Sequence, residues 1–403
     1  MSGASGGRSL RVAGLFAGVG GIEIGLARAG HHSELLCEVD PWPAAVLAER
    51  FDGVPLHSDV STLPSLPSID LLAGGFPCQD ISLAGTRAGL DGERSGLVSH
   101  LFRLVASAKP EFVLLENVSN LLRLSSGQVM RAVIAELEGL GYRWAYRLVD
   151  TRGFGLPQRR QRVLILGSRG DVAPQDVLLA ASVPNTSDDS IVEPEPGRCY
   201  GFYWTEGRRG VGWAQDAVPT IKGGSGLGIP SPPAIFDADC RRAGTPHIED
   251  GERLQGFDAG WTSVSIDGVA AKEGTRWKMV GNAVSVPVAE WVGTELAHDV
   301  EPADLQEVRM PRSGAVPKAA FGGPGRTWTA VAVSTHVERG HHMPIGAFLQ
   351  HPLKPLSERA LRGYISRAET GTKRLPDGFL RGLRTQLLLH EPRSIESPSI
   401  AVA

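Results

Sequence analysis

Residues 11–29, RVAGLFAGVGGIEIGLARA, decide the fold. A short apolar run is followed by FAGVGG at 16–21, and apolar residues then recur at helical spacing. A strand that turns so tightly into a helix needs glycine where a Cβ would keep a ligand away from the backbone. The acidic Glu38 follows Gly18 by 20 residues, the separation at which such folds hold a ribose. The stretch therefore predicts a nucleoside site, although the full GxGxxG fingerprint would need glycine in place of Glu23.

Apolar runs and helical patterns alternate from this stretch to about residue 170. Buried strands of a parallel sheet are typically separated by amphipathic helices that cover both faces. The alternation predicts an α/β fold with a doubly wound, mostly parallel, Rossmann-like sheet. The predicted strands are 11–16, 34–39, 69–74, 111–115 and 162–166, and the predicted helices are 22–29, 43–50, 96–108 and 128–140.

The residue composition and the apolar pattern change three times along the chain, at about residues 171, 247 and 299, which predicts four segments. Residues 1–170 form the α/β part, and residues 171–246 are rich in Pro, Gly, Ser and Asp, which indicates a smaller module of loops and strands. Helical patterns return in 247–298, so that this segment is expected to complete the first domain. Residues 299–403 are interpreted as a linker followed by a basic extension with one or two helices within 352–390.

Composition and charge limit the class of protein. With 403 residues, 42% hydrophobic and 21% charged, the chain has the balance of a soluble globular protein and excludes disordered, collagen-like and membrane-spanning classes. No secretory signal pattern opens the chain, so a cytoplasmic location is expected. The four cysteines are scattered, which argues against a disulfide framework and against a metal site. Residues 309–403 carry 14 basic and 6 acidic side chains, a balance that suits a polyanion or only a solvated face.

A cysteine follows the third predicted strand in GGFPCQ at 74–79. A lone cysteine is more often a small buried hydrophobe than a nucleophile. Here glycines and a proline flank Cys78, and Arg87 and Arg94 follow, and a cationic setting favours the reactive thiolate. Because strand ends of an open α/β sheet face the ligand crevice, Cys78 is predicted to lie beside the ligand of the glycine loop.

Two more strand termini carry charged groups. Glu116 ends an apolar strand, where desolvation of a carboxylate is costly unless the group has a partner or a function. The pentapeptide QRRQR at 158–162 opens another strand, and strand alternation predicts Arg160 and Arg162 on the same face. Such a basic run is usually only solvated. Beside a cysteine and a glutamate at neighbouring strand ends, it becomes a candidate clamp for an anion or a nucleobase.

Seven segments in chain order together resemble the cytosine-C5 DNA methyltransferases, from about residue 11 to residue 298. FAGVGG is similar to the cofactor loop of that family, GGFPCQ to its nucleophile motif, ENV at 116–118 to its glutamate motif and QRRQR to its arginine motif. GTRAGLDGERSGL at 85–97 resembles the mobile catalytic loop, ERLQGF at 252–257 the RLQGF helix, and GNAV at 281–284 the closing motif.

The resemblance implies the chemistry and its residues. S-adenosylmethionine is the implied cofactor, and duplex DNA is the implied substrate, with a cytosine flipped out of the stack. Cys78 would add to C6 of the base, Glu116 would hold N3 and N4, and Arg162, with Arg160 beside it, would hold O2. No metal is implied. The family assigns 1–170 and 247–298 to catalysis and cofactor binding, and 171–246 to target recognition.

The implied binding residues fall into two sets. Those for the cofactor are Phe16, Gly18, Gly20, Gly21, Glu38, Val39, Asp59, Val60, Pro77, Asn282 and Val284. Those for DNA are Gln79, Ser82, Arg87, Arg94, Thr220, Ile221 and Lys222. Many relatives carry tryptophan where this chain has Val39, so that either the adenine packs more weakly here or Trp42 compensates.

Alternatives stay open at this point. A tRNA cytosine methyltransferase is the main rival enzyme, although the Cys-Phe-Thr signature of such relatives is absent from the recognition segment. A DNA-binding protein that keeps the fold without turnover is the rival from another class. The chain is expected to be a monomer. Its setting stays open between a restriction pair, with a cognate restriction endonuclease as the partner, a phage and a solitary regulatory system, and the recognised DNA sequence cannot be inferred.

Overall fold

The chain folds as two compact units, described in a computed structural model. Unit 1 comprises Met1–Ser187, Thr220–Pro230 and Ile248–Met343, and unit 2 comprises Asp188–Pro219, Ser231–His247 and Pro344–Ala403. The chain thus changes unit at about 188, 220, 231, 248 and 344, whereas the sequence placed boundaries at 171, 247 and 299. The described residues are 7–77, 96–180, 182–184, 190–206, 210–224, 232–310, 316–337, 342–371 and 375–389.

The strands are short in unit 2 and longer in the centre of unit 1. In chain order they are β1 (Arg11–Leu15), β2 (His32–Cys37), β3 (Leu56–His57), β4 (Leu71–Gly75), β5 (Phe112–Val118), β6 (Arg143–Asp150), β7 (Gln158–Arg159), β8 (Gln161–Ser168), β9 (Cys199–Phe202), β10 (Ala214–Gln215), β11 (Val218–Pro219), β12 (Ala234–Asp237), β13 (Arg242–Thr245), β14 (Ser265–Ile266), β15 (Val269–Ala270), β16 (Glu307–Val308), β17 (Ala319–Gly322), β18 (Thr329–Val331) and β19 (Lys354–Pro355).

The helices follow the sequence pattern closely in the first 140 residues. They are α1 (Gly21–Arg28), α2 (Pro41–Arg50), α3 (Leu97–Ala108), α4 (Gln128–Gly139), α5 (Pro174–Leu179), α6 (Ile248–Arg253), α7 (Glu273–Asn282), α8 (Val286–Ala297), α9 (Ile345–Phe348), α10 (Glu358–Glu369) and α11 (Asp377–Leu388). Among the described residues, no helix has both the length and the apolar character that crossing a bilayer requires.

Unit 1 contains a ten-stranded sheet in the order β16-β18-β17-β6-β8-β5-β4-β1-β2-β3. The strands from β3 to β5 pair in parallel, with Leu15 opposite both Cys37 and Gly74, so that their carboxyl ends meet at one edge. The mixed α/β class and the parallel pairing of these strands are confirmed. β8 is antiparallel to β5 and to β6, so parallel pairing was wrong for residues 162–166. The reason is β6, an unpredicted strand that reverses the chain direction before β8.

Helices cover both faces of this sheet, as predicted. One core lies on the side of α3 and α4, where Leu101 and Ile134 are fully buried against side chains such as Leu15 and Val113. The other core lies on the side of α1, α5 and α8, where Leu26 and Val292 pack with side chains such as Val12 and Leu114. Alternate residues of each strand therefore feed opposite cores, and the edge formed by the carboxyl ends is left for polar groups.

Unit 2 contains an antiparallel sheet in the order β10-β9-β12-β13-β19, with α10 and α11 packed against it. Phe379 of α11 contacts the rings of Phe202, Trp213 and Phe236, with centroids 5.0–5.1 Å apart. One or two helices were predicted within 352–390, and two are present, α10 and α11. They supply core residues to this unit, because Leu361 and Leu383 are fully buried in the same cluster as the strand residues.

Candidate active site

The glycine loop between β1 and α1 is held in an unusual backbone conformation. Phe16, Gly18 and Gly20 all have positive φ angles, of 54°, 57° and 83°. A Cβ at Gly20 would strike the Phe51 ring, whereas a Cβ at Gly18 would meet no atom within 4 Å. Gly20 is thus required by packing, while Gly18 leaves open space in front of the loop backbone, as the close approach of a ligand requires.

The carboxylate of Glu38 ties this loop to the end of β2. Its Oε2 accepts a hydrogen bond from the backbone N–H of Gly18 at 2.8 Å, and its Oε1 accepts one from the backbone N–H of Asp40 at 2.8 Å. Each oxygen keeps a second lone pair, which is what the two hydroxyls of a ribose would need. The side chain of the following Val39 is 70% exposed and free to contact a flat ring.

Asp59 follows β3, the next strand along this edge. Its Oδ1 accepts a hydrogen bond from the Ser61 backbone N–H at 2.8 Å, which lowers the pKa of the Asp59 carboxyl below its ordinary value. The ionised group is therefore an acceptor for an amino group. The side chain of the neighbouring Val60 is 4% exposed and belongs to the core, so only its backbone could contact a ligand. Trp42 is half-buried against the cluster of Val19 and Phe257.

The end of β4 brings two glycines into close contact with neighbouring strands. A Cβ at Gly74 would lie 2.7 Å from the carbonyl oxygen of Leu15, and a Cβ at Gly75 would lie 3.2 Å from Oε2 of Glu116. The next residue, Phe76, is buried, and its carbonyl oxygen accepts a hydrogen bond from Nδ2 of Asn117 at 2.8 Å. The end of β5 thus fixes the backbone just before Pro77, which is half-buried.

Glu116 and Arg162 form a pair where β5 and β8 run side by side. Glu116 is 8% exposed, and Nε of Arg162 lies 2.8 Å from its Oε1. The contact is an ion pair without the geometry of a hydrogen bond. Among the described residues, Oε1 of Glu116 accepts no hydrogen bond, so it can still accept one from a ligand. Nη1 of Arg162 donates to the carbonyl oxygen of Gln161 at 2.8 Å, which orients the guanidinium. A buried carboxylate beside a cation at a strand end can bind the polar edge of a nucleobase.

Arg160 is not placed like Arg162. It lies between β7 and β8, is 1% exposed, and its guanidinium donates to the backbone carbonyl oxygens of Ile221 at 2.9 Å and Ala283 at 2.6 Å. β7 ends before Arg160 and β8 begins after it, so the common face expected for Arg160 and Arg162 stays a prediction. Both terminal nitrogens of Arg160 thus donate to main-chain acceptors and hold residues 221 and 283 in place.

The closing motif completes the edge from the end of α7. A Cβ at Gly21 would strike the carbonyl oxygen of Val284, and a Cβ at Gly75 would lie 3.8 Å from Cγ2 of Val284. Val284 therefore lies between the start of α1 and the end of β4. Asn282, the last residue of α7, is exposed. The role of Gly21 is close packing against this motif.

Comparisons with known proteins agree with this geometry. A family model described as C-5 cytosine-specific DNA methylase matches residues 10–196. The chain is 45% identical over 384 residues to the Type II methyltransferase M2.BsuMI of Bacillus subtilis (strain 168), an alignment that covers 93% of this chain and 97% of that protein. The chain belongs to the C-5 cytosine-specific DNA methylases. It is also 33% identical over 186 residues to the Type II methyltransferase M.BsuFI of Bacillus subtilis, 45% of each chain, and 35% identical over 165 residues to M.Bsp6I of Bacillus sp. (strain RFL6), 40% of this chain and 52% of that protein.

C-5 cytosine-specific DNA methylases transfer a methyl group to DNA from S-adenosylmethionine, which is the cofactor of this chain. The residues at the edge of the sheet fit that molecule. Gly18 leaves backbone space, Glu38 offers two oriented carboxylate oxygens, and Asp59 offers an ionised acceptor. These match a methionine and ribose surface, ribose hydroxyls and an adenine amino group respectively.

The expected nucleophile and the residues expected to contact DNA fall into two groups, one outside and one inside the part of the chain that the structure describes. Cys78, Gln79, Ser82, Arg87 and Arg94 lie outside the described residues.

The second expected group follows Pro219. Ile221 is 0% exposed, so its side chain is buried, and the DNA contact expected for it stays a prediction. Thr220 is half-buried, and its hydroxyl donates to the carbonyl oxygen of Arg159 at 2.8 Å. Lys222 is half-buried. Residues 220 and 221 are thus anchored by the Thr220 hydroxyl and by the buried Ile221 side chain.

Sequence reasoning missed four polar residues that hold the site together. Asn117 fixes the backbone before Pro77, and Gln158, Gln255 and Ser285 form hydrogen bonds with one another in the interior. A signal was present, since Asn117, Gln158 and Gln255 lie inside the quoted motifs and Ser285 directly follows GNAV, between Val284 and Val286. A polar side chain in an apolar run is buried only when it is hydrogen-bonded.

Proposed function

We propose that the chain methylates C5 of a cytosine flipped out of duplex DNA, through a transient covalent bond between Cys78 and C6 of the base. The single observation that carries this proposal is the buried Glu116–Arg162 pair. The pair lies beside Gly75, which precedes Pro77 by two residues, and is next to the glycine loop. In this proposal, the polar groups that hold the cytosine edge and those that hold the cofactor share one edge of the sheet. The assignment of Cys78 itself is supported by its position in the nucleophile motif.

The proposed reaction starts at the thiolate of Cys78. Its electron pair forms the S–C6 bond, and the electrons of the C5=C6 double bond move into the ring, so that C5 becomes nucleophilic. S-adenosylmethionine, when bound, supplies a methyl group activated on a sulfonium and leaves as S-adenosylhomocysteine. Once C5 carries the methyl group, its proton passes to water and the C–S electrons return to Cys78. The products are 5-methylcytosine, S-adenosylhomocysteine, one proton and the regenerated thiolate.

Glu116 and Arg162 have distinct parts in this scheme. A carboxyl group at N3 and the exocyclic N4 stabilises the negative charge that enters the ring as sulfur adds. A guanidinium at O2 orients the base and favours the same charge shift. Their 2.8 Å contact keeps both groups oriented before a base arrives, so little reorganisation is needed in the transition state.

The cofactor side of the proposal uses the loop and the closing motif. Glu38 holds the ribose hydroxyls, and Asp59 receives the adenine amino group. Phe16, Gly18 and Asn282 provide the surfaces around the methionine part, and exposed Val39 packs on the adenine. This arrangement directs the methyl group towards the end of β4, where Pro77 precedes the proposed nucleophile.

We propose unit 2 as the target-recognition domain. Its strands β9 to β13 come from the segment assigned to recognition by the resemblance, and its strand β19 and helices α10 and α11 come from the basic segment near the C-terminus. Exposed Arg359 and Arg381 on these helices are candidates for phosphate contacts, which position a protein on DNA without reading sequence. Thr220 and Lys222 are candidates for contacts near the flipped base.

The biological setting is a further part of the proposal. We propose that the methylase acts as a monomer on cytoplasmic DNA and protects it from a cognate restriction endonuclease. The names of its Type II relatives support this setting. Bisulfite sequencing of DNA from cells expressing the chain would reveal the methylated base and its sequence context.

Covalent trapping tests the mechanism directly. A short duplex with 5-fluorocytosine at the site found by bisulfite sequencing is incubated with the protein and S-adenosylmethionine. Fluorine cannot leave C5 as a proton does, so the wild type should form a denaturation-resistant adduct, while Cys78→Ser should form none and still bind S-adenosylhomocysteine. A trapped adduct with Cys78→Ser, or none with an active wild type, would reject the assigned nucleophile. Transfer of methyl groups to tRNA but not to DNA would instead favour the RNA enzyme.

A further inference from the structure

A buried polar cluster in unit 1 joins four segments that are far apart in sequence. Its members are all 0–2% exposed: Thr151, Gln158, Arg160, Gln255 and Ser285. Burial of this many polar groups is tolerated only when their hydrogen bonds are satisfied inside the protein.

Gln158 uses both ends of its amide. Nε2 donates to the carbonyl oxygen of Leu254 at 2.8 Å and to Oε1 of Gln255 at 3.2 Å. Oε1 accepts from the backbone N–H of Ile221 at 3.0 Å. One side chain therefore connects the RLQGF segment with residue 221.

Gln255 and Ser285 extend the cluster to the closing motif. The hydroxyl of Ser285 donates to Oε1 of Gln255 at 2.6 Å, and Nε2 of Gln255 donates to the carbonyl oxygen of Val280 at 2.8 Å. The backbone N–H of Val286 donates to the carbonyl oxygen of Gln255 at 2.8 Å. The position of residues 280–286, which include Asn282 and Val284, thus depends on Gln255.

Arg160 links residue 221 directly to the closing motif. Its guanidinium donates both to Ile221 and to the carbonyl oxygens of Ala283 and, at 3.3 Å, of Gly281. A Cβ at Gly281 would strike the backbone of Lys222, so the two backbones are in direct contact. Residues 220–223 and 281–283 therefore cannot move independently without leaving buried donors or acceptors unpaired.

We propose that this cluster couples cofactor binding to DNA binding. The closing motif forms part of the cofactor site, and residues 220–224 belong to the stretch where the chain passes from residue 219 of unit 2 through unit 1 and back to residue 231 of unit 2. A ligand that fixes residues 281–285 would fix residues 220–223 through Gln158 and Arg160. Gln158, Gln255 and Ser285 are positioning residues in this scheme, and the inference rests on the proposed function.

The test is a ratio of dissociation constants. The Kd for a short duplex that contains the methylated site is measured with and without saturating S-adenosylhomocysteine. The wild type should bind DNA about fivefold or more tightly with the product bound, the lower end of ordinary coupling between sites. Gln158→Leu, which unpairs Ile221 and Leu254, should bring the ratio close to one. A purely structural role would weaken each binding event and leave the ratio unchanged.

Two further variants keep the result decisive. Ser285→Ala removes one hydrogen bond and reduces the ratio in part, which supplies the test if Gln158→Leu fails to fold. Tyr142→Phe is the matched control, because it removes a buried hydrogen bond of unit 1 to the carbonyl oxygen of Pro110 and should keep the wild-type ratio. A wild-type ratio of one, or an unchanged ratio in the cluster variants, overturns the coupling. Absence of DNA methylation by the same wild-type preparation would count against the proposed function instead.

Discussion

The edge of the unit 1 sheet that carries the candidate site, called the site edge below, and the core of unit 2 are stabilised in opposite ways. At the edge, backbone hydrogen bonds and one ion pair fix a few polar atoms, as between Glu38 and Gly18 or between Arg162 and Glu116. In unit 2, Phe379 is surrounded by aromatic rings and contributes no polar atom. The first arrangement depends on atom positions and the second on apolar volume, so substitutions should reduce activity in one and folding in the other.

The largest effect is expected at the edge, from Glu116→Gln. The amide has nearly the shape of the carboxyl but cannot carry its charge or its proton, and it loses the attraction of Arg162. We expect the single-turnover rate constant of methyl transfer to fall by about 10²–10⁴-fold, the range for loss of a general acid–base group, with the thermal midpoint little changed. Single-turnover methyl transfer and a melting curve measure the two quantities.

Glu138→Gln is the control for this carboxyl-to-amide change. Glu138 accepts a hydrogen bond from Nε1 of Trp144 at 2.8 Å in α4, away from the site edge. Its rate should equal that of the wild type. A rate for Glu116→Gln within a few-fold of the wild type would show that Glu116 has no part in the chemistry. It would contradict the expectation that substitutions at the site edge reduce activity.

The second prediction concerns the aromatic core. Phe379→Ala removes a ring that is 0% exposed and leaves a cavity among three aromatic neighbours. The expected loss of stability is about 3–5 kcal/mol, the ordinary cost of such a truncation. Duplex binding should weaken, while S-adenosylhomocysteine binding, assigned to unit 1, should be retained. Urea unfolding and calorimetric titration provide both measurements.

The exposed Leu388 of the same helix is the matched control, since its side chain is 64% exposed and Leu388→Ala should change stability little. Equal losses of cofactor and DNA binding in Phe379→Ala would contradict the separation of the two regions.

The same contrast explains what the sequence could predict. The glycine loop, Glu38 and Glu116 were found because chemistry fixes both the residue type and its place after a strand, and the parallel strands around them follow from apolar runs. β6 was missed because RWAYRLVD places charged Arg143, Arg147 and Asp150 in a strand that is buried almost throughout. Arg147 is fully buried and donates to the carbonyl oxygens of Leu178 and Ser334, a solution that only the folded chain reveals.

The C-terminal segment was misjudged for a related reason. Its positive charge suggested an appended surface, but Leu356, Leu361 and Leu383 alternate with the arginines and are buried in unit 2. Charge is visible in composition, whereas the partner of an amphipathic helix is not. Likewise, spacing in the sequence could not predict that Arg160 donates to the main chain of Ile221 and Ala283.

The third prediction concerns Glu23, a carboxyl beneath the glycine loop. Glu23 is buried with both oxygens unpaired among the described residues, in the space that Gly14 leaves by lacking a Cβ. Burial, with a smaller contribution from the charge of Glu38, raises the pKa of Glu23 from 4.5 to about 8. The folded state therefore holds this proton over a range in which the unfolded chain has released it.

The sign of the pH dependence follows from this proton. Below pH 4.5 both states are protonated and the contribution of Glu23 to stability is fully present, and it is lost as pH rises towards about 8, above which it changes no further. Glu23→Gln cannot ionise, so its thermal midpoint should fall less than that of the wild type between pH 5 and pH 8. Parallel curves for the two proteins would show that Glu23 has an ordinary pKa.

The smallest expected effect tests the surface of unit 2. Arg359 and Arg381 are exposed on α10 and α11, while neighbouring Arg362 and Arg384 already pair with acidic residues. If Arg359 and Arg381 bind phosphates, Arg359→Gln with Arg381→Gln should lower the slope of log K against log salt by about 0.9 for each phosphate that is no longer neutralised. Binding should weaken equally for cognate and unrelated duplexes, since phosphate contacts carry no sequence information.

The exposed Lys318 of unit 1 supplies the control, and Lys318→Gln should leave the salt slope unchanged. Equal small changes in both variants would mean that only the total charge of the protein acts on DNA. A salt slope that changes only in the Arg359 and Arg381 variant would show that unit 2 has a functional surface over its aromatic core. The two units would then differ only in how their interiors are packed. The core would then serve as the scaffold for two exposed cations, as the large sheet serves for the Glu116–Arg162 pair.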